Sequence, residues 1–267
     1  MSPLTIALFT ALATLSLAAP CLAVDGPPFP GWRSHVWPEA PPAAPLAGWR
    51  VALDPGHGGS DSGACGPDGY PCEKDLTLSI AVQLRRALEA NGAAVGSTRT
   101  GDEALSIASR RTFANDFGAH RFISIHLNTA PGAPAAAGIE TWIDWDAVSD
   151  PAPASAVWRD YAQAIHAETV AGARRKAPDL PDRGLRFSGR TPPWDTQRIA
   201  VIRPARDDFP AGVRMPAVLL EFGFLSNPTE RSRLVRDAYQ QALAQGVVAG
   251  LISHARRYRP SDGLIGP

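Results

Sequence analysis

Short apolar runs of strand length alternate along this chain with longer stretches whose apolar residues recur every fourth position, and this alternation restricts the fold more than any other feature. Arg50-Val51-Ala52-Leu53 reads as a buried strand that runs into the loop Asp54-Pro55-Gly56-His57-Gly58-Gly59. Leu76, Ile80, Leu84 and Leu88 mark an amphipathic helix ended by Asn91-Gly92. Ala93 to Thr98 is the next strand, Leu105 to Phe117 a helix stopped at Gly118, Phe122 to His126 a buried strand and Gly138 to Ile143 another. Ser155 to Val170 reads as helix, Ala177 to Trp194 as a long Pro-, Gly- and Arg-rich loop, and Arg198 to Ile202 and Ala217 to Leu220 as strands. Asn227-Pro228 opens a helix, and a long helix from Tyr239 to about Tyr258 closes the pattern. The alternation predicts an α/β fold: a single domain with one mostly parallel sheet and helices on both faces. Ligands bind such sheets at the carboxyl ends of the strands, so that edge is where functional residues are to be sought.

The chain has 267 residues, 45% of them apolar, which suits one core with extra segments. Its 26 basic and 26 acidic residues cancel, and without a basic surplus nucleic acid is not an expected partner. Pro3 to Ala19 is apolar or small and uncharged, and Cys21-Leu22-Ala23 fits the small-x-small pattern before a cleavage site. We therefore expect a signal peptide over 1–23 and export to the periplasm or beyond the cell. A lipoprotein attached through Cys21 and an uncleaved anchor are the other readings. Pro20 before that cysteine opposes the first, and the short, Ala-rich run opposes the second. A Pro/Ala-rich extension containing Trp32 and Trp37 follows over 24–48, then a catalytic domain over 49–260 and a tail over 261–267. No later segment resembles a membrane span, and a monomer is expected. Cys65 and Cys72 remain after cleavage, and in an oxidising compartment the pair reads as a disulfide rather than two thiols, contributing about 2.5 kcal/mol in the chain-entropy model.

Chemistry-bearing residues fall at the strand ends. His57 follows the first strand, His126 ends Phe122-Ile-Ser-Ile, and Glu221 ends Val218-Leu-Leu, so all three share one sheet edge. Glu73 lies in a loop that can reach that edge. Two imidazoles and a carboxylate suit a catalytic Zn²⁺ with its fourth position open to water. A further carboxylate is then needed to carry protons, and Glu221 after an apolar strand suits that task. Each residue also has a plain structural reading: a hydrogen-bonded histidine at a strand end, a first-turn glutamate, a paired buried carboxylate. The ligands are widely separated and no HExxH occurs, so spacing alone does not decide. Asn128 reads either as a substrate contact or as a cap of the strand-end turn. Asp54 reads as a partner of a ligand histidine or as a turn cap. Arg99 and Arg110 read as structural pairs, and His120, His166 and His254 as structural or surface groups.

The local sequences add a resemblance. Val51-Ala-Leu-Asp-Pro-Gly-His-Gly-Gly resembles the opening motif of the zinc-dependent, type 3 N-acetylmuramoyl-L-alanine amidase family. In the same order, Cys72-Glu-Lys-Asp-Leu-Thr-Leu, Ser97-Thr-Arg-Thr-Gly-Asp with Ser109-Arg-Arg and Ala114-Asn, Phe122-Ile-Ser-Ile-His-Leu-Asn, Gly138-Ile-Glu-Thr and Pro216-Ala-Val-Leu-Leu-Glu-Phe-Gly-Phe-Leu-Ser-Asn are similar to its later blocks. The likeness spans about Trp49 to Tyr258. It implies a six-stranded α/β fold, zinc ligands at His57, Glu73 and His126, a catalytic glutamate at Glu221, and peptidoglycan as substrate, cut between N-acetylmuramic acid and L-alanine. A zinc peptidase acting inside the stem peptide would share this site, whereas a non-catalytic wall-binding protein would have lost a ligand or Glu221. The cysteine pair is not a general family feature, and we expect its bridge to hold Glu73 in ligating geometry. Some members insert a plugging helix after the Gly-Ile-Glu-Thr strand. Here Asp144 to Ala154 is short and Pro-rich, so no plug is expected. Arg174 to Arg203 is long and is expected to shape the groove.

Overall fold

The computed structural model describes residues 44–66, 69, 71–149, 151–189 and 198–265. The expected signal peptide and most of the Pro/Ala-rich extension lie outside them. Six strands form one sheet: β1 (Arg50–Pro55), β2 (Ala94–Ser97), β3 (Arg121–Asn128), β4 (Ile139–Asp144), β5 (Asp182–Ser188) and β6 (Ala217–Phe224), in the order β2-β1-β3-β6-β4-β5. The helices are α1 (Glu73–Ala90), α2 (Ile107–Asp116), α3 (Trp145–Val148), α4 (Pro153–Arg174), α5 (Pro228–Leu234) and α6 (Asp237–Ala255). Val51 and Leu53, Phe122, Ile123 and Ile125, and Val218 and Leu220 are fully buried. Central strands covered on both faces need such unbroken apolar runs. Ser106 Oγ caps α2 by accepting from the Ser109 amide, and Asn227 Oδ1 caps α5 by accepting from the Thr229 and Glu230 amides.

The chain passes outward from β1 to β2 through α1, then back across β1 to β3 through α2. Right-handed crossovers in opposite directions place those helices on opposite faces. α1 and α4 both pack on α6, forming one layer, while α2 and a 3-10 turn at Ala200–Ile202 cover the other face. The pairs β1–β2, β1–β3, β3–β6 and β4–β5 are parallel, and β4 runs antiparallel to β6. β4 and β5 therefore bring their amino ends to the edge where β1, β3 and β6 end. Leu46 is tied to α1 by its amide donating to the Asn91 carbonyl, and Ile265 returns to donate to the Arg214 carbonyl just before β6.

Two expectations need correction. Arg198 to Ile202 does not form a strand. Its apolar residues Val201 and Ile202 are buried because the 3-10 turn presses them against the sheet. The sixth strand is instead Asp182–Ser188, within the stretch read as loop. As an edge strand it is covered only in part, so it tolerates Arg183, Gly184 and Arg186 where a central strand would be apolar.

Candidate functional site

The loop after β1 is held by two arginines. Arg99 donates to the carbonyls of Pro55 and Gly56, and Arg110 to those of Pro55 and His57. Arg110 also pairs with buried Asp54, which accepts from Thr98 and Ser124 as well. Asp54 thus serves the arginine clamp and is neither a histidine partner nor a turn cap, while Arg99 and Arg110 are structural as expected. His57 adopts φ 62°, the one non-glycine residue with positive φ among the described residues. That conformation is uncommon for a side-chain-bearing residue and persists here because three successive carbonyls are pinned. Gly56 lets the loop lie against His126: a Cβ there would sit 2.3 Å from Cε1 of that ring.

Glu73 starts α1 directly after the Cys65–Cys72 disulfide. Its amide donates to the Ala64 carbonyl and its Oε2 accepts from the Ala64 amide. The expected bridge is formed, and these bonds tie Glu73 to the loop that the two cysteines close. Glu73 Oε1 lies 3.0 Å from His57 Nε2 and 3.0 Å from His126 Nδ1, and accepts from the Leu127 amide. His57 Nδ1 faces Asp61 Oδ2 at 2.9 Å. Burial opposes ionisation of Glu73, but its hydrogen bonds with His126 and His57 outweigh that and hold its carboxyl well below the usual range. Burial likewise works against a charged His57, and the Glu73 and Asp61 carboxylates raise its pKa overall. Ligand atoms of His57, Glu73 and His126 all lie within 4.8 Å of one another. A carboxylate that already draws two imidazoles onto one oxygen is a donor set that fits a single divalent cation.

A row of functional groups crosses the sheet edge beyond these three. His126 on β3 is in register with Glu221 on β6, and Glu221 with Glu140 on β4. Glu221 keeps intermediate exposure as a residue, but its Oε2 is buried with no hydrogen-bond partner among the described residues. Burial, then the charges of Glu73 and Glu140, push the Glu221 carboxyl well above its ordinary value. Glu140 accepts from Arg183 Nε at 2.5 Å and from Asn128 Nδ2 at 3.2 Å. Asn128 also accepts from the Thr129 amide, so it caps the strand-end turn while standing beside the site.

The edge thus brings together His57, Glu73, His126, Glu221 and Asn128. His120 accepts from the Arg50 amide and His254 bridges Arg121 and Asp160, both at the opposite edge, while His166 bridges Thr141 and Asp182 and touches none of these five residues. Sequence reasoning missed Asp61, four residues after His57, and it missed Glu140 because nothing in Gly138-Ile-Glu-Thr reveals that β4 runs backwards. No helix among the described residues is long and apolar enough to cross a membrane.

Residues 51–253 match the protein family described as N-acetylmuramoyl-L-alanine amidase. The chain is 35% identical over 204 residues to the sporulation-specific N-acetylmuramoyl-L-alanine amidase of Bacillus subtilis, covering 76% of this chain and 66% of that protein. It is 34% identical over 208 residues to the probable cell wall amidase LytH of Staphylococcus aureus, covering 78% of this chain and 58% of that protein. It therefore spans just under two thirds, or less, of these curated relatives. Among solved structures, N-acetylmuramoyl-L-alanine amidase from Clostridium difficile 630 superposes with a TM-score of 0.63 at 30% identity, covering 79% of this chain and 98% of that one. The architecture, the edge constellation and these likenesses agree: the chain belongs to the N-acetylmuramoyl-L-alanine amidase family.

Proposed function

We propose that this protein is an exported, monomeric peptidoglycan hydrolase that cuts the amide bond between N-acetylmuramic acid and L-alanine. In this reading His57, Glu73 and His126 hold a zinc ion and Glu221 moves the protons. The observation that carries it is the juxtaposition of a convergent His/Glu/His donor set with a neighbouring carboxylate whose buried oxygen has no partner. Held by these three residues, a zinc ion would supply Lewis acidity to the amide carbonyl and to a water molecule. Glu221 takes that water's proton as general base and delivers it to the L-alanine nitrogen as the carbon–nitrogen bond breaks. Hydroxyl ends on the lactyl carbonyl and hydrogen on the amine, so the reaction balances with one water. A carboxyl raised by burial and by two like charges is suited to carry a proton between the two steps. In this reading Asn128 contacts the peptide. Ahead of the catalytic domain at 49–260, the segments 1–23 and 24–48 serve as signal peptide and extension, and 261–267 as a tail.

The test is digestion of purified peptidoglycan by the isolated protein, with and without chelator. New N-terminal L-alanine and new lactyl carboxylates, lost on chelation and restored by zinc, are expected. Cuts confined to bonds within the stem peptide would overturn this reading in favour of a peptidase.

A further inference from the structure

The site edge carries a second polar cluster that the proton chemistry does not use. Glu140 has a side chain only 5% exposed, whereas those of Arg183 and Arg186, both on β5, are 34% and 42% exposed. A buried carboxylate needs one well-made cationic partner. Arg183 is that partner, through its 2.5 Å bond to Glu140 Oε1, and its guanidinium lies over the Phe224 ring at 5.0 Å. Arg186 reaches the same oxygen only at 3.5 Å, the limit of a hydrogen bond, so Glu140 does not consume its charge. Asp182 and Glu230 add carboxylates nearby, the first paired with His166 and the second acting on Arg183, so it is the Arg186 guanidinium, 42% exposed, that stays available on this side of the edge.

Position gives that charge a meaning. Glu140 is the register partner of Glu221, one strand spacing or ~5 Å away, and the guanidiniums gathered on it come from β5, one strand further out, so they stand between one and two strand spacings, ~5–10 Å, from the proton-carrying carboxylate. An extended peptide leaving the scissile nitrogen covers ~7 Å in two residues. The amidase reading, on which this inference rests, places such a peptide here: the stem continues from L-alanine into a glutamate whose carboxylate is free or amidated. We propose that Arg186, backed by Arg183, binds the free carboxylate of the residue following L-alanine and makes the enzyme prefer acidic over amidated stems.

Two soluble muropeptides that differ only in whether that carboxylate is free or amidated test the proposal. Release of L-alanine-terminated peptide is followed and kcat/KM compared. A charge-assisted bond to a carboxylate is expected to favour the free acid by about tenfold or more, expressed in KM. Arg186→Gln should bring the ratio between the substrates to about one while Arg183 keeps Glu140 paired and the thermal melt unchanged. Arg186→Lys, which retains the charge, should restore part of the preference. A wild-type ratio near one overturns the proposal and leaves the amidase reading standing, as does an unchanged ratio in Arg186→Gln. If both muropeptides are cut only within the stem and not at the muramoyl–alanine bond, the amidase reading fails and the proposal falls with it.

Discussion

Exchanging His254 for glutamine should remove one share of the acid sensitivity of this fold, the buried His120, also pushed down to about 4, keeping another. His254 is fully buried, with Nε2 facing Arg121 Nε at 3.0 Å and Nη2 at 2.7 Å, and Nδ1 facing Asp160 at 2.7 Å. Arg121 is itself fully buried and has only donors to offer, so His254 must be neutral, its proton on Nδ1 and directed at Asp160. Burial, then the Arg121 charge, push His254 from 6.5 down to about 4. The unfolded chain therefore binds more protons than the native one between those values. Stability is complete above about pH 6.5 and falls as pH drops toward 4, with no further loss from this group below that. Linkage gives a loss of about 2 kcal/mol at pH 5 relative to pH 7.5. Glutamine can accept from Arg121 and donate to Asp160 without titrating, at a cost of about 1–2 kcal/mol at neutral pH. Urea unfolding of both proteins at pH 7.5 and pH 5, under the same metal conditions, reads the difference. The wild type should lose about 2 kcal/mol more than His254→Gln on acidification. Parallel losses in the two proteins would refute the reasoning and move the titrating group elsewhere.

Glu221→Gln should lower turnover on peptidoglycan by about 10² to 10⁴-fold with metal content and melting unchanged. Loss of metal in proportion to activity would make Glu221 a ligand. His126→Ala should lose bound zinc by elemental analysis, and full metal with full activity would contradict the assignment. Alkylation of exported protein without reductant should leave Cys65 and Cys72 unlabelled, and reducing the bridge should cost about 2.5 kcal/mol and weaken zinc retention before unfolding. Gly56→Ala would set a Cβ 2.3 Å from the His126 ring, so zinc affinity measured by competition with a chelator should fall about tenfold or more.

What the sequence made legible follows from burial. β1, β3 and β6 are covered on both faces, so their apolar runs stand out, and His57, His126 and Glu221 lie at or near the carboxyl ends of those strands. Even the glutamate that starts α1 could be placed, because its motif opens a clear amphipathic helix. β5 was hidden, since an edge strand needs little apolar surface and Asp182-Arg-Gly-Leu-Arg-Phe-Ser resembles a loop. Ala200–Ile202 misled in the opposite sense, because any short segment pressed on a sheet face becomes apolar whatever its backbone does. Strand direction leaves no mark in a strand's own residues, so the meeting of Glu140 with Glu221, and with it the arginine cluster, could be seen only in three dimensions.

Where the chain enters and leaves this domain carries a further consequence. The segment before β1, tied down at Leu46, and the segment after α6, tied down at Ile265 beside the start of β6, both lie at the amino edge of the central strands. The reacting groups occupy the opposite edge. Anything joined at either point, whether a tether to a surface, a targeting module or a laboratory tag, hangs from the back of the molecule. On the proposed reading the reacting groups then face away from the attachment, so a tethered copy can meet its substrate without its own leash in the way.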